Sequence, residues 1–371
     1  MMKLSVYLDQ NALSSLAKDP AWTKTEVGEA LLSPAIDVFV SPVHVLETMQ
    51  AEDAARTALA KTMLELCSAR RMCPSYEFIV ADYFLRALAG ADVSAIRTRE
   101  HLDYHKDANT RIYLGALAIL AHGFPASPST VDDVRRTKLV NQVLHASAAA
   151  DPKRWLANLL ECTGKMLVTS RDPLAPLDAA TNDELRAVVA ASGADAVGLD
   201  AEVRRQLQKH RAAIAAAYGA VEIGACLEAA LPLPGEAEAA FDATGVAKAL
   251  RAWGISQQLP GAGAPTPDVR ALVQRAIYAC AKKGVLPASI SNEVVLREVE
   301  HAASAKETPN AGVVFDADHA VYMCHVNVFV TDDMGLLNAL RPIAKRVSSA
   351  ERPVEVCASL ELAGLAAKLS K

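Results

Sequence analysis

Several things are scarce in this chain. Its seven cysteines, Cys67, Cys73, Cys162, Cys226, Cys280, Cys324 and Cys357, are odd in number and include no C-x-x-C pair. That argues against a disulfide framework or a zinc ribbon, so buried free thiols are expected. Aromatic residues make up only 5%, too few for an evident base-stacking platform, although a catalytic groove needs no more than one or two. Positive charge is not in excess: 38 Lys plus Arg against 43 Asp plus Glu leave a formal charge of −5. This excludes a protein that coats nucleic acid by bulk charge but leaves room for a local basic track. Long apolar runs are also missing. The longest, near residues 114–121, falls far short of the roughly 18 residues of a bilayer span. Ser5 and Asp9 interrupt the N-terminus where a signal peptide would carry its apolar core. The expectation is a cytoplasmic protein with no membrane partner.

What is present is the composition of a folded protein. With 51% hydrophobic and 22% charged residues, the chain is neither disordered nor fibrous. Its 371 residues amount to roughly two or three domains. No repeat of fixed period points to a solenoid.

The two ends carry the clearest signals. Residues 3–8 (KLSVYL) read as a strand, stopped by Asp9-Gln10-Asn11 and followed by helical composition over 12–18. Residues 35–40 (AIDVFV) repeat the strand signature. Ser41-Pro42 then supplies an N-cap and a first-turn proline for a helix over 43 to about 60, with Glu47 early in it. Near the C-terminus, residues 315–325 (FDADHAVYMCH) have helical spacing, with Ala320, Met323 and Cys324 available for a buried face. A nearly continuous apolar strand follows over 326–330 (VNVFV), then Thr331-Asp332-Asp333 and a helix over 335–340. Residues 354–357 (VEVC) add a short strand before a last helix from about 360. This alternation predicts an α/β fold with a central parallel sheet covered by helices on both faces.

The intervening 250 or so residues are alanine-rich, with helical patterns at 183–191, 201–217 and 269–283 and proline-rich breaks at 125–129, 232–235 and 260–267. The simplest organisation is a discontinuous domain, residues 1–55 plus 306–371, interrupted by a mainly α-helical insertion over 56–305.

In an open parallel sheet, ligands gather outside the carboxyl ends of the strands. Asp9, Glu47, Asp316 and Asp333 all fall near such positions. Each alone has an ordinary explanation as a helix cap or a surface charge; four at the mouth of one sheet are harder to explain by capping. Carboxylates gathered closely stay ionised at neutral pH only if a cation or water reaches them. Oxygen ligands without His or Cys favour Mg²⁺ or Mn²⁺, one ion or two, over zinc. The chemistry that such a site suits is phosphodiester hydrolysis.

On these residues the chain resembles the PIN-domain ribonucleases. The matching pieces are VYLDQN ending the first strand at Asp9, SPVHVLE carrying Glu47, DADHA opening on Asp316, and VFVTDD with its T-x-D at Thr331 and Asp333. The resemblance covers about 120 residues. It implies a Rossmann-like three-layer α/β/α domain and a metal-dependent endoribonuclease acting on RNA. It also implies metal ligands at Asp9, Glu47, Asp316 and Asp333, with Thr331 and Asn11 holding carboxylates or the nucleotide phosphate. The doublets Asp316/Asp318 and Asp332/Asp333 leave the identity of each acid open. T-x-D spacing favours Asp333, and His319 three residues on favours Asp316, a D-x-x-H spacing like that of some members with large insertions. His319 is a candidate for substrate binding or a solvated helix residue.

Other features rank lower. His101 and His105 have i, i+4 spacing without an evident third ligand. Basic groups at Arg70-Arg71, Arg135-Arg136-Lys138 and Arg204-Arg205-Lys209-Arg211 are either an RNA path or solvated faces, and Trp155 and Trp253 read as core. The leading expectation is a ribonuclease, of the toxin or defence type, with an inhibitory partner protein and self-association left open. The competing readings are a non-catalytic scaffold with the same fold and a metal-dependent DNA nuclease.

Overall fold

The computed structural model describes residues 3–67, 72–76, 79–80, 83, 108–125, 131–132, 134–136, 138–139, 286–305, 307, 310, 312–349 and 353–369. The chain divides into two compact units. One comprises Met1–Tyr76, Ile96–Lys138 and Val314–Lys371, the other Glu77–Ala95 and Leu139–Val313.

The first unit is built on four parallel strands, β1 (Leu4–Leu8), β2 (Ile36–Phe39), β3 (Val328–Val330) and β4 (Glu355–Cys357), in the order β2-β1-β3-β4. All of β2 and β3 and residues 5–8 of β1 are buried. Because successive strand residues face opposite sides, burial of every one means that both faces are covered, which explains why these strands are apolar apart from Ser5 and Asp37. Tyr7 pairs with Phe39 on one side and Phe329 on the other, and Leu8 with Val330. The opposite end of the β1–β3 pair is pinned by Asn327, whose Oδ1 accepts from Ser5 N at 3.1 Å and Ser5 Oγ at 2.8 Å. This register makes the carboxyl ends of β1 and β3 neighbours.

The strands lead into helices: α1 (Gln10–Lys18), α2 (Glu26–Leu31) after a 3₁₀ turn at Trp22–Lys24, α3 (Pro42–Thr48), α4 (Asp53–Leu66) and α5 (Ala108–Ala121). Helix α4 lies against α1 and α5. Leu13, Leu16, Leu59, Met63, Leu117 and Leu120 join Val6 and Leu8 in one core, each leucine contributing about 1.5–3 kcal/mol by leaving water. In the second unit, α6 (Leu286–Ala305) buries Ile290, Val294, Leu296 and Ala302 and carries a Glu293–Arg297 pair at 3.0 Å. Helix α7 (Val313–Val321) begins at the boundary and ends in a 3₁₀ turn, Tyr322–His325; α8 (Met334–Val347) and α9 (Ser359–Leu369) follow β3 and β4.

Local outcomes differ from the expectations in instructive ways. The helix expected over 43 to about 60 is two helices. The chain tightens at the end of α3, where Gln50 N reaches Glu47 O at 3.0 Å and Ala51 N reaches Thr48 O at 3.1 Å, and Glu52 is extended. Arg56 holds the corner, its guanidinium donating to Ala51 O at 2.7 Å and lying 3.0 Å from Asp53. No glycine or proline marks this break. Conversely, α8 continues through Pro342, giving up the hydrogen bond that a proline cannot donate.

Cys67, Cys73, Cys324 and Cys357 are buried free thiols; Cys162, Cys226 and Cys280 lie outside the described residues, as do the helices expected over 183–191, 201–217 and 269–283, the breaks at 232–235 and 260–267, and residues 126–129 of the third break. Among the described residues no helix is long and apolar enough to cross a membrane.

Candidate functional site

Asp9 stands where β1 ends and α1 begins. Its backbone is extended, its N–H donates to Val330 O at 2.9 Å, and its Oδ1 accepts from Ala12 N at 2.8 Å. The capping explanation for this aspartate is therefore met, and it is not the whole story: Oδ2 accepts from the Thr331 hydroxyl at 2.5 Å, across 322 positions of sequence. Thr331, fully buried, accepts in turn from Asp333 N at 3.1 Å. One hydroxyl thus links the acids that follow β1 and β3. Asp333 caps α8, its Oδ1 accepting from Leu336 N at 2.8 Å. A side chain at Gly335 would meet that Oδ1 at 3.1 Å, so glycine gives the cap its room. Asp332 is committed elsewhere, accepting from Ser359 N at 2.9 Å and Ser359 Oγ at 2.8 Å at the start of α9.

Glu47 arrives on α3. His44 donates from Nε2 to Leu8 O at 2.7 Å, and its Nδ1 accepts from Ser41 N at 2.9 Å. A carbonyl can only accept, so His44 is neutral with its proton on Nε2. The pair of contacts ties the start of α3 to the end of β1, and Glu47 follows one turn later. Glu47 Oε2 lies 2.8 Å from His319 Nε2, and Oε1 lies 3.9 Å from Lys138 Nζ. The Lys138 ammonium is also 4.5 Å from the centroid of Phe315, a cation–π distance.

Behind Glu47 the polar contacts continue inward. His319 Nδ1 is 2.7 Å from Tyr7 Oη, which is 2.7 Å from Ser41 Oγ. Tyr7 stacks on Tyr322 and Phe329 at 5.0 and 5.4 Å between centroids. Tyr7 and Ser41 are fully buried and His319 is 1% exposed.

Burial dominates the electrostatics. It pushes the Asp9 carboxyl up to about 7; hydrogen bonds from Thr331 and Ala12 oppose this, and the charges of Glu47 and Asp332 add to it. Burial raises Glu47 to about 7 as well, eased by Lys138 and His44. His319 falls to about 3 through burial and the nearby Lys138 charge, and burial holds His44 well below the ordinary histidine range.

The donor chemistry of Asp9, a buried carboxylate, and Glu47, a partly buried one whose charge disfavours ionisation of Asp9, fits a hard divalent cation. Among the described residues no three His, Cys, Asp or Glu side chains are grouped as a ready-made cage. Asp316 and Asp318 are half-buried on α7 shortly before His319, and Asn11 is exposed on α1. The structure thus joins Asp9, Thr331 and Asp333 directly, couples Glu47 to Asp9 through charge, and gives His319 a supporting position with both ring nitrogens engaged.

Three residues escaped the sequence reading in this role: Tyr7, Ser41 and His44. The signal available was a tyrosine near the carboxyl end of the first strand and a histidine three residues after the capping Ser41. Lys138, grouped by sequence with Arg135 and Arg136, belongs to the site; the two arginines are exposed, Arg135 lying 4.0 Å from Asp132. Arg70-Arg71, His101, His105, Arg204-Arg205-Lys209-Arg211, Trp155 and Trp253 lie outside the described residues. Protein-family models, curated proteins and solved structures offer no match to the chain, so the site's own geometry carries its functional reading.

Proposed function

We propose that the chain is a metal-dependent endoribonuclease of the PIN type. Its sheet is then the centre of a Rossmann-like three-layer α/β/α domain that takes in residues 1–55 and 306–371 together with α4 and α5, which share its core, and the rest of the 56–305 stretch is a mainly helical insertion. The observation that carries this reading is the Thr331 to Asp9 hydrogen bond of 2.5 Å, which unites two acid-bearing strand ends at the edge where parallel sheets bind ligands. Asp9, Glu47, Asp316 and Asp333 are the residues that would hold Mg²⁺ or Mn²⁺, one ion or two. Such an ion, when bound, supplies an acidified water and stabilises charge on the phosphate. The chain's own residues orient these groups: Thr331 steers Asp9, Gly335 admits the Asp333 cap, and Lys138 offers positive charge beside Glu47 for an RNA phosphate. A cytoplasmic toxin or defence effector is the role this activity suits, and an inhibitory partner protein would accompany it.

The test is to incubate the purified chain with total RNA, or with single-stranded DNA, in Mn²⁺, Mg²⁺ or EDTA, and to map the cut ends. Cation-dependent cleavage of RNA that Asp9→Asn abolishes is the expected result. Full activity in EDTA or in the Asp9→Asn protein would overturn the proposal, and cleavage confined to DNA would redirect it.

A second reading, a non-catalytic scaffold, draws on one observation: Asp9, Asp332 and Asp333 all hydrogen-bond to backbone amides at helix starts. It predicts that Asp9→Ala costs about 1 kcal/mol of stability and that divalent cations shift the melting of no variant.

A further inference from the structure

The line of contacts running inward from Glu47 to Ser41 has one self-consistent set of proton positions when Glu47 is ionised and His319 carries a single ring proton. A carboxylate can only accept, so His319 donates to Oε2 from Nε2 across 2.8 Å. With one ring proton, Nδ1 accepts, and among the described residues the group at hydrogen-bond distance from it is the Tyr7 hydroxyl at 2.7 Å. With its proton given to His319, Tyr7 accepts from Ser41 Oγ, also at 2.7 Å. Each contact in the line then joins one donor to one acceptor, and donation runs from Ser41 outward to Glu47 Oε2.

The surroundings leave this line little freedom. Tyr7 is enclosed by Tyr322, Phe329 and the rings of His44 and His319, the last two at 4.9 and 5.7 Å between centroids. Ser41 is held at its backbone by His44. At the outer end, His319 engages Oε2 alone. Oε1 accepts no hydrogen bond among the described residues and lies 3.9 Å from Lys138 Nζ, so one oxygen is anchored and the other is available.

We propose that His319 is a positioning residue, locked by Tyr7 and Ser41 as the Nε2–H tautomer, which fixes the rotamer of Glu47 and leaves Oε1 to the divalent cation. This role rests on the nuclease reading above and extends it from the acids to the side chains behind them. Histidines that orient a ligand from behind typically change metal affinity by about 10- to 100-fold when their partner is removed.

The experiment combines two readouts that do not depend on cleavage. Imidazole ¹⁵N shifts of the Mg²⁺-saturated protein should show His319 as the neutral Nε2–H tautomer. Calorimetric titration with Mn²⁺ alone should show affinity about 10- to 100-fold weaker in Tyr7→Phe and in His319→Ala. His319→Gln, whose amide can still donate toward Glu47, should recover much of the loss. Tyr7→Phe keeps the ring stack and removes one hydroxyl, so its far-ultraviolet circular dichroism should match wild type even if His319→Ala fails to fold. Absence of Mn²⁺ binding by the wild-type protein overturns the nuclease reading and this role together. Mn²⁺ binding that is unchanged in Tyr7→Phe, or an Nδ1–H tautomer at His319 in the Mg²⁺-saturated protein, overturns the positioning role while leaving the nuclease reading intact.

Discussion

The acids after β1 and β3 and the glutamate on α3 are held in opposite ways. Asp9, Asp332 and Asp333 each accept from a backbone amide at a helix start. Two of those amides lie three residues along the chain, so a short segment supplies both cap and helix. Among the described residues Glu47 accepts from no backbone amide; its hydrogen-bond partner there is His319, 272 positions away. A capped aspartate keeps its place through local geometry, whereas Glu47 keeps its place only if α7, β1 and α3 are all assembled. Losing a cap therefore weakens a helix, and losing the Tyr7 hydroxyl behind His319 loosens the hold on a side chain while the ring stack stays in place. That difference is open to measurement.

The largest effect is expected where both arrangements serve the same chemistry. Asp9→Asn, Glu47→Gln, Asp316→Asn and Asp333→Asn each preserve shape and remove charge, so RNA cleavage in Mn²⁺ should fall by at least about 100-fold in each. An Asp333→Asn protein with wild-type turnover would reduce that residue to a cap.

The next effect is on stability and has a definite sign. Folded Asp9 keeps its proton up to about pH 7, the unfolded chain only to about pH 4. Between these values the folded state binds more protons. The stability this group contributes is thus fully present below about pH 4 and is lost as pH rises through 7. Glu47 acts in the same direction. His319, lowered to about 3, acts in the opposite one, its contribution growing as pH rises from about 3 to the ordinary histidine value. The difference between variant and wild type isolates the aspartate. In EDTA, Asp9→Asn should gain on wild type from pH 4 to 7, by an amount on the order of a few kcal/mol, and the gain should then level off. Mn²⁺ at about 100 times its dissociation constant should return roughly 2.7 kcal/mol to wild type and much less to the variant. Melts that show neither the pH trend nor the metal shift would leave Asp9 as a cap.

A smaller change is expected at Asp332, whose work is to bind Ser359. Asp332→Ala should cost about 1 kcal/mol, read by denaturant titration, while cleavage stays within a few-fold of wild type. The smallest is expected from Arg135 and Arg136, both exposed. If they contact phosphate, their joint replacement by alanine lowers the salt slope of RNA binding by about 2. An unchanged slope assigns them to a solvated face.

The sheet was the most legible part of the molecule. Runs such as VFV and VYL, buried on both faces, are made of aliphatic and aromatic residues, and each is followed within three residues by an aspartate that caps a helix. Asp9 and Thr331 to Asp333 could be singled out because a cap and a T-x-D spacing are local patterns. The break between α3 and α4 was not legible, since Arg56 makes it by reaching back to a carbonyl and an acid rather than through glycine or proline. Nor was the role of Tyr7, which in sequence is one more aromatic strand residue.

By itself the sequence determined which segments become strands and helices and which acids sit at their junctions, because apolar periodicity and capping act over a few residues. Tertiary structure alone decided that Thr331 meets Asp9, that His319 rather than solvent holds Glu47, and that Lys138 stands beside that carboxylate while Arg135 stands away from it. Those outcomes depend on strand order and helix docking across hundreds of positions. There the burial that makes an unpaired polar group costly selects among partners that the local sequence does not distinguish.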